Sequence, residues 1–306
     1  MDIHALFGGV VPEVASRHHV ETITRVVTKT FEQTDLTFKD VDAIAVTCGP
    51  GLLGALLVGV SAAKGYALAT GLPLIGVHHI AGHVAAATIN SELTFPFLCL
   101  VVSGGHTEIL VVSDKFEFEK LGGTRDDAAG EAYDKVARLL GLSYPGGPKV
   151  DEHAANGHPN AFAFPRAFLE DDHFDFSFSG LKSAVNNELT KRRNRGEEIV
   201  IDDVCASFQA SVVEVLTAKT ARAVRTTGLQ NVVVAGGVAA NKGLRKAMRE
   251  LALKENFTVH FPDIRLCTDN GAMIASAGYY TFRRGRVNDL SLNAYANLPL
   301  STWQNW

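Results

Sequence analysis

Ala43-Ile44-Ala45-Val46, closed by Thr47-Cys48-Gly49-Pro50-Gly51 and followed by Leu52 to Ala69, decides the fold class. Four apolar residues ending at a glycine-proline turn read as a short buried strand. The run after it is built of small and apolar residues and reads as a buried helix. Leu74 to Val77 and His79 to Ile89 repeat the unit, strand and then helix. Such alternation predicts an α/β protein with a mostly parallel sheet.

The pattern changes after Pro96. Phe97 to Val102 and Thr107 to Val112 are apolar runs joined by Ser103-Gly104-Gly105-His106, the arrangement of an antiparallel hairpin. Phe116 to Leu121 reads as a further strand and Asp127 to Leu140 as a helix, with a loop through Gly141, Pro145, Gly146, Gly147 and Pro148. Helices follow over Ser179–Arg192 and Asp202–Thr226, then a strand over Val232–Ala235 that runs into Gly236-Gly237 and a helix to Glu255. A last strand near Val259–Phe261 precedes a helix from Asn270 to Phe282. Two similar halves facing a cleft are expected, with the break near Phe95-Pro96.

With 306 residues the chain has room for about two domains. A net charge of −4 argues against nucleic-acid binding by the whole surface, while leaving room for a local basic patch. Cys48, Cys99, Cys205 and Cys267 stand far apart, mostly in apolar contexts, and read as reduced, buried thiols. The start Met1-Asp2-Ile3-His4 has no secretory pattern, and the apolar stretch Leu52–Val60 reads as too short to span a bilayer. The expected compartment is the cytoplasm.

Three constellations carry chemistry. His79 and His83 are four residues apart, so a helix puts both imidazoles on one face, within reach of one metal ion or as a plain polar pair. A zinc protease needs a glutamate after the first histidine, and Ile80 stands there. Asp269 is the candidate third ligand, with a helix N-cap as its alternative role. Two imidazoles and one carboxylate suit iron or zinc and leave positions open for substrate.

The second constellation is Val102-Ser103-Gly104-Gly105-His106-Thr107, whose glycines let a backbone approach a phosphate unless the turn is a plain hairpin. Gly236-Gly237 repeats the theme ahead of Asn241. The third is acidic: Asp127, Glu131 and Asp134 share a helix face, and Asp151 follows Gly146-Gly147-Pro148, as a solvated face or as ribose ligands. Lys191-Arg192-Arg193-Asn194-Arg195 and Arg283-Arg284-Gly285-Arg286 are basic, as helix ends or as phosphate contacts for an RNA.

In their order and spacing these segments resemble the universal tRNA threonylcarbamoyladenosine transferase family, once labelled sialoglycoprotein endopeptidases. The resemblance runs from Ile3-His4 and Gly8 to His18 through Gly49-Pro50-Gly51, His79–His83, Val102–Thr107, Asp126–Lys135, Tyr144–Asp151, Phe176–Lys182, Ala235–Asn241 and Cys267–Gly271. It implies the two-lobed actin-like ATPase (ASKHA) fold with a central cleft. Residues 1–96, completed by about 275–306, would form the first lobe; residues 97–274 would form the second, with the site at their interface.

It also implies one divalent metal at His79, His83 and Asp269, iron(II) with zinc as the alternative. Val102, Ser103, Gly104, Gly105, His106, Asp134, Gly147, Asp151 and Asn241 would hold an adenylate or an ATP- or ADP-like nucleotide. The implied reaction moves a threonylcarbamoyl group from threonylcarbamoyl-AMP to N6 of the adenosine 3′ of the anticodon, in tRNAs reading A-starting codons. No covalent protein nucleophile is expected. The implied partners are tRNA, a paralogous actin-like subunit (TsaB) and a small P-loop ATPase (TsaE). A non-catalytic nucleotide-binding scaffold or a metal peptidase are the alternatives. Family members open with a phosphate-turn hairpin ahead of the segment matching Ile3, and its lack here leads us to expect a less stable first lobe that leans on self-association or the paralogue.

Overall fold

Pro12 stands in the first turn of helix α1 (Pro12–Thr34), where a missing N–H leaves no intrahelical bond unmade. The computed structural model describes residues 11–306, so the expectations placed on Ile3-His4 and on Gly8-Gly9-Val10 lie outside them. Strand β1 (Ile44–Gly49) leads into helix α2 (Leu53–Thr70), which Gly71 ends in the left-handed conformation at φ 75°. The chain then returns as β2 (Leu74–His78), parallel to β1 with Ile44 opposite Leu74. This is the strand-helix-strand unit expected of the opening segment. Helix α3 (His79–Ala86) follows at once. Helix α2 extends past the Leu52–Val60 stretch to 18 residues, including Ser61 and Lys64, and is long and apolar enough to cross a membrane by length and composition only. In its own unit it packs on α1 and β1.

Strand β3 (Phe97–Val102) is buried throughout and pairs antiparallel with β4 (Thr107–Val112), closing the expected glycine hairpin with Val102 opposite Thr107. Strand β5 (Phe118–Gly123) lies beyond β4. Helices α4 (Ala129–Leu139), α5 (Gly146–Ala154), α6 (Ser179–Arg195) and α7 (Ile201–Thr227) come next. Strand β6 (Asn231–Ala235), a 3-10 turn over Gly237–Ala240 and helix α8 (Lys242–Glu255) lead to β7 (Thr258–His260). The sheet order is β5-β4-β3-β6-β7, with β3, β6 and β7 mutually parallel. Short helix α9 (Ile264–Cys267), helix α10 (Gly271–Arg283) and α11 (Leu300–Trp303) complete the described chain.

Helix α5 replaces the loop that its glycines and prolines predict. Pro145 is its N-cap and Pro148 lies in its first turn, where the helix has no N–H bonds to lose. The described residues form two compact units, one of residues 91–114 and 119–268 and the other of 11–90, 115–118 and 269–306. Their breaks fall at 90/91 and 268/269, where the sequence reading sets 96/97 and 274/275. Leu98, Leu100, Val232 and Val234 of the first unit's sheet pack with Phe208, Val212 and Leu216 of α7 in one core. All four cysteines are buried and free, as their contexts predict.

Phe178, at the N-cap position of α6, offers no capping side chain. Asp126 takes over from afar: its carboxylate accepts from the Phe178 and Ser179 N–H groups at 2.8 and 3.3 Å and from the Ser177 and Ser179 hydroxyls at 2.5 and 2.7 Å. Burial pushes its pKa up, but these donors outweigh it and hold the carboxyl below its usual range. A depressed folded-state pKa stabilises above the unfolded value of about 3.9 and is lost as pH falls through the folded value. Asp126→Ala should therefore cost about 1 kcal/mol at neutral pH. Urea unfolding of both forms should show that difference shrinking in acid.

Candidate metal centre and nucleotide site

His79 and His83 sit on α3, His83 buried to 2% and His79 to 20% exposure, and their rings meet edge to face at 4.7 Å. The helix is fixed by His78, whose Nε2 lies 2.8 Å from the Leu298 carbonyl while its Nδ1 accepts the Ile80 N–H. Those two partners set one tautomer, with the proton on Nε2. Helix α10 packs on α3 and carries Asp269 just ahead of its start.

The capping role open to Asp269 falls instead to Asn270, whose side chain accepts the Met273 N–H at 2.8 Å. The Asp269 carboxylate faces His83 Nε2 at 3.4 Å and His79 Nε2 at 3.7 Å. The three ligand atoms all lie within 4.8 Å of one another. His83 Nδ1 is buried with no hydrogen-bond partner, so the polar contact of this imidazole is on the Nε2 side. The contact with His83 is the largest influence on Asp269 and lowers its pKa; burial opposes it and His79 adds to it. Two imidazole nitrogens and a carboxylate oxygen gathered this closely form a donor set that fits a divalent metal, which would take the Nε2 positions now facing the carboxylate. Replacing His83 with Ala should strip bound metal, read by elemental analysis of the purified protein, while the far-ultraviolet circular dichroism stays that of the parent.

The other candidate residues belong to the first unit. Parallel pairing of β3 with β6 puts Val101 opposite Ala235, so the turns after both strands emerge side by side. Gly236 has φ 93°, and a Cβ there would meet the Val102 carbonyl oxygen at 2.4 Å, so only glycine fits. In the Ser103–His106 turn, the Ser103 N–H donates to the His106 carbonyl at 2.8 Å and Ser103 Oγ accepts the His106 N–H at 3.1 Å. Thr107 Oγ1 accepts the Ala129 N–H at 2.9 Å, and the Ser103 carbonyl accepts that of Gly130 at 3.2 Å. The start of α4 is thereby tied to the turn.

Gly104 and Gly105 are exposed. Neither has positive φ, and a Cβ on either would meet nothing within 4 Å. Nothing among the described residues requires glycine at these two positions.

The acidic face divides. Asp127 and Glu131 share Lys135, at 2.7 and 2.9 Å, whereas Asp134 Oδ1 accepts the Gly146 N–H at 2.8 Å and anchors α5 beside Gly147. Asp151 and Asn241 come together despite their separation in sequence. Asn241 Oδ1 caps α8 by accepting the Leu244 N–H at 2.8 Å, and Asp151 Oδ2 accepts the Lys242 N–H at 2.9 Å. Between them stands Gln209 of α7, which the sequence reading does not single out; Tyr133 also reaches it, at 3.2 Å. No motif marks either residue. The basic runs are largely paired: Lys191 and Arg192 with Glu188, Arg195 with Glu197, Arg284 with Glu117.

Comparison with known proteins places the chain in a family. The chain is 53% identical to the tRNA N6-adenosine threonylcarbamoyltransferase of Staphylococcus aureus strain Newman over 303 residues, 99% of this chain and 89% of that one, and equally to that of strain USA300. Among solved structures, full-length HypF in its phosphate- and nucleotide-bound form aligns with TM-score 0.61 at 17% identity, over 84% of this chain and 41% of HypF. The HypF of T. kodakarensis aligns with TM-score 0.63 at 16% identity, over 81% and 41%. This chain thus spans about two-fifths of the HypF chains it matches. The activator of 2-hydroxyisocaproyl-CoA dehydratase from Clostridium difficile aligns with TM-score 0.51 at 20% identity, over 85% of this chain and 81% of that one. These likenesses carry the fold, which is the α/β fold of the actin-like ATPases. The model of the family described as TsaD, tRNA N6-adenosine threonylcarbamoyltransferase, matches residues 1–276, and the chain belongs to that family.

Proposed function

We propose that this protein transfers the threonylcarbamoyl group of threonylcarbamoyl-AMP to N6 of the adenosine 3′ of the anticodon in tRNAs reading A-starting codons, with release of AMP. The 53% identity to curated transferases over nearly the whole chain is the observation that carries this reading. N6 attacks the carbamoyl carbon, the bond from that carbon to the phosphate oxygen breaks, and N6 gives up a proton. The donor is an activated anhydride, so the protein's task is orientation and charge stabilisation rather than covalent catalysis.

Val102 to His106, Asp134, Gly147, Asp151 and Asn241 are proposed to hold the adenylate. The open backbone of Gly104 and Gly105 supports this, because close approach by an outside molecule supplies a reason for glycine that the packing of the described residues lacks. Asp151 accepts only, so it suits a hydroxyl or amino donor of the nucleotide. His79, His83 and Asp269 are proposed to hold iron(II), with zinc as the alternative; bound there, the metal supplies a Lewis acid for a carbonyl or phosphate oxygen. Adenine must unstack to present N6, which an anticodon loop permits more readily than a duplex. The exposed Leu53, Leu57 and Leu68 of α2, beside α1, offer an apolar surface for a paralogous actin-like subunit, with a P-loop ATPase as the further partner.

Expression of the chain in cells depleted of their own transferase should restore threonylcarbamoyladenosine in tRNA, read by mass spectrometry of nucleosides. Absence of the modified nucleoside despite soluble protein and intact partners would remove the proposal. Gly104→Ala should leave the melting temperature unchanged and weaken AMP binding about tenfold, the scale of losing one or two backbone hydrogen bonds to a charged group.

A further inference from the structure

Gln209 lies in the middle of α7 and is only 9% exposed. Its amide meets three groups from three other elements. Nε2 donates to Asp151 Oδ1 of α5 at 3.0 Å. Oε1 accepts from Asn241 Nδ2 at the start of α8 at 2.7 Å and from the Tyr133 hydroxyl of α4 at 3.2 Å.

The direction of every bond follows from one of them. An ionised carboxylate has no proton to give, so the amide must turn Nε2 toward Asp151 and Oε1 the other way. Asn241 then has to present Nδ2 to Gln209, which leaves its Oδ1 to cap α8 through Leu244. The Asn241 amide also hydrogen-bonds the Tyr133 hydroxyl, so both of these side chains are locked to Gln209 and to each other. The Asp151 carboxylate is held by the Lys242 and Gly243 N–H groups, at 2.9 and 3.4 Å, as well as by Gln209. A buried glutamine satisfied at both ends in this way fixes polarity as well as position.

We propose that Gln209 is a positioning residue of the transferase: it fixes the amide orientation of Asn241 and holds Asp151 as an acceptor, in the orientation in which the two meet a bound adenylate. This rests on the proposal that Asp151 and Asn241 hold the nucleotide. A purely structural glutamine would affect stability alone, whereas a polarity-setting one makes nucleotide binding depend on which atom faces Asp151.

Gln209→Glu separates the two. An ionised glutamate repels Asp151 and cannot donate to it, while a protonated one donates to Asp151 and accepts from Asn241 as glutamine does. Burial beside Asp151 raises the pKa of the new carboxyl, bringing its titration toward neutrality. The titratable and charged groups around this network are Tyr133, Cys205 next to it, Glu152 and Lys242, and the His153–Asp202 pair that joins α5 to α7 at 2.5 Å. Burial pushes Tyr133 and Cys205 up, Cys205 to about 12, and all of these groups are shared by parent and variant, so the ratio of Gln209→Glu to parent isolates the new carboxyl.

The test is calorimetric titration of the purified full chain with AMP at about pH 8 and about pH 6, for the parent, Gln209→Glu, Gln209→Leu and, as the direct ligand control, Asn241→Ala. We expect Gln209→Leu to bind about tenfold more weakly at both pH values, the scale of a lost buried hydrogen bond. Gln209→Glu should be about as weak at the higher pH and should regain most of the deficit relative to the parent at the lower one. If Asn241→Ala loses affinity but the ratio of Gln209→Glu to parent is flat with pH, the positioning role is overturned and the nucleotide site stands. If Asn241→Ala binds AMP as the parent does, the nucleotide reading fails and takes this inference with it. Should Gln209→Leu not fold, the pH ratio of Gln209→Glu decides alone.

Discussion

The parallel pairing of β3 with β6 is the constraint on which the first unit depends. It joins a local hairpin, β3 and β4, to a strand from much later in the chain and fixes the register with Leu98 opposite Val232 and Val101 opposite Ala235. Because the register is fixed, two glycine-bearing turns leave the sheet at the same end, where an open α/β sheet presents its strand termini to ligands. A slip of one residue would exchange the side chains packed against the two buried faces of the sheet and separate Gly236 from the Val102 carbonyl. Burial of Val232 and Val234 against α7 holds the register in place.

From that end of the sheet, polar order spreads through hydrogen bonds with one allowed direction. Thr107 and Ser103 tie the start of α4, Asp134 ties α5, and the network at Gln209 ties α5, α7 and α8 to one another. The second unit solves a similar problem with a different device. There His78 fixes α3 through Leu298, and Asn270 caps α10, so that His79, His83 and Asp269 are held by neighbours outside the donor set. Residues next to ligands do much of the work of orientation in both places.

Much of this was legible in the sequence where spacing alone carries the signal. The four-residue separation of His79 and His83 needs only a helix to become a pair, and two apolar runs around Ser103-Gly104-Gly105-His106 need only a hairpin. Helix α5 was illegible because Gly146, Gly147 and Pro148 are loop residues by propensity, and its formation depends on Asp134 receiving the Gly146 N–H. Glu131 and Asp134 lie on α4 as their spacing predicts, but Asp127 stands ahead of the helix start, and the division of these carboxylates between Lys135 and Gly146 was not legible. Gln209 and Tyr133 leave no trace in the letters, since one glutamine on a helix and one tyrosine in a core gain meaning only from partners distant in sequence.

Helix α3 also bears on how the molecule is made. Its residues Ile80 to Ala86 are all buried, and α10 is the helix packed most extensively against it. A ribosome delivers α3 early and α10 near the end, so for most of synthesis the apolar side of α3 has no cover and its two imidazoles have no carboxylate. Translation therefore passes through a long interval in which an apolar helix face and two of the three candidate donors are displayed on an unfinished unit. How long that surface stays uncovered is then a matter of elongation speed as much as of equilibrium stability.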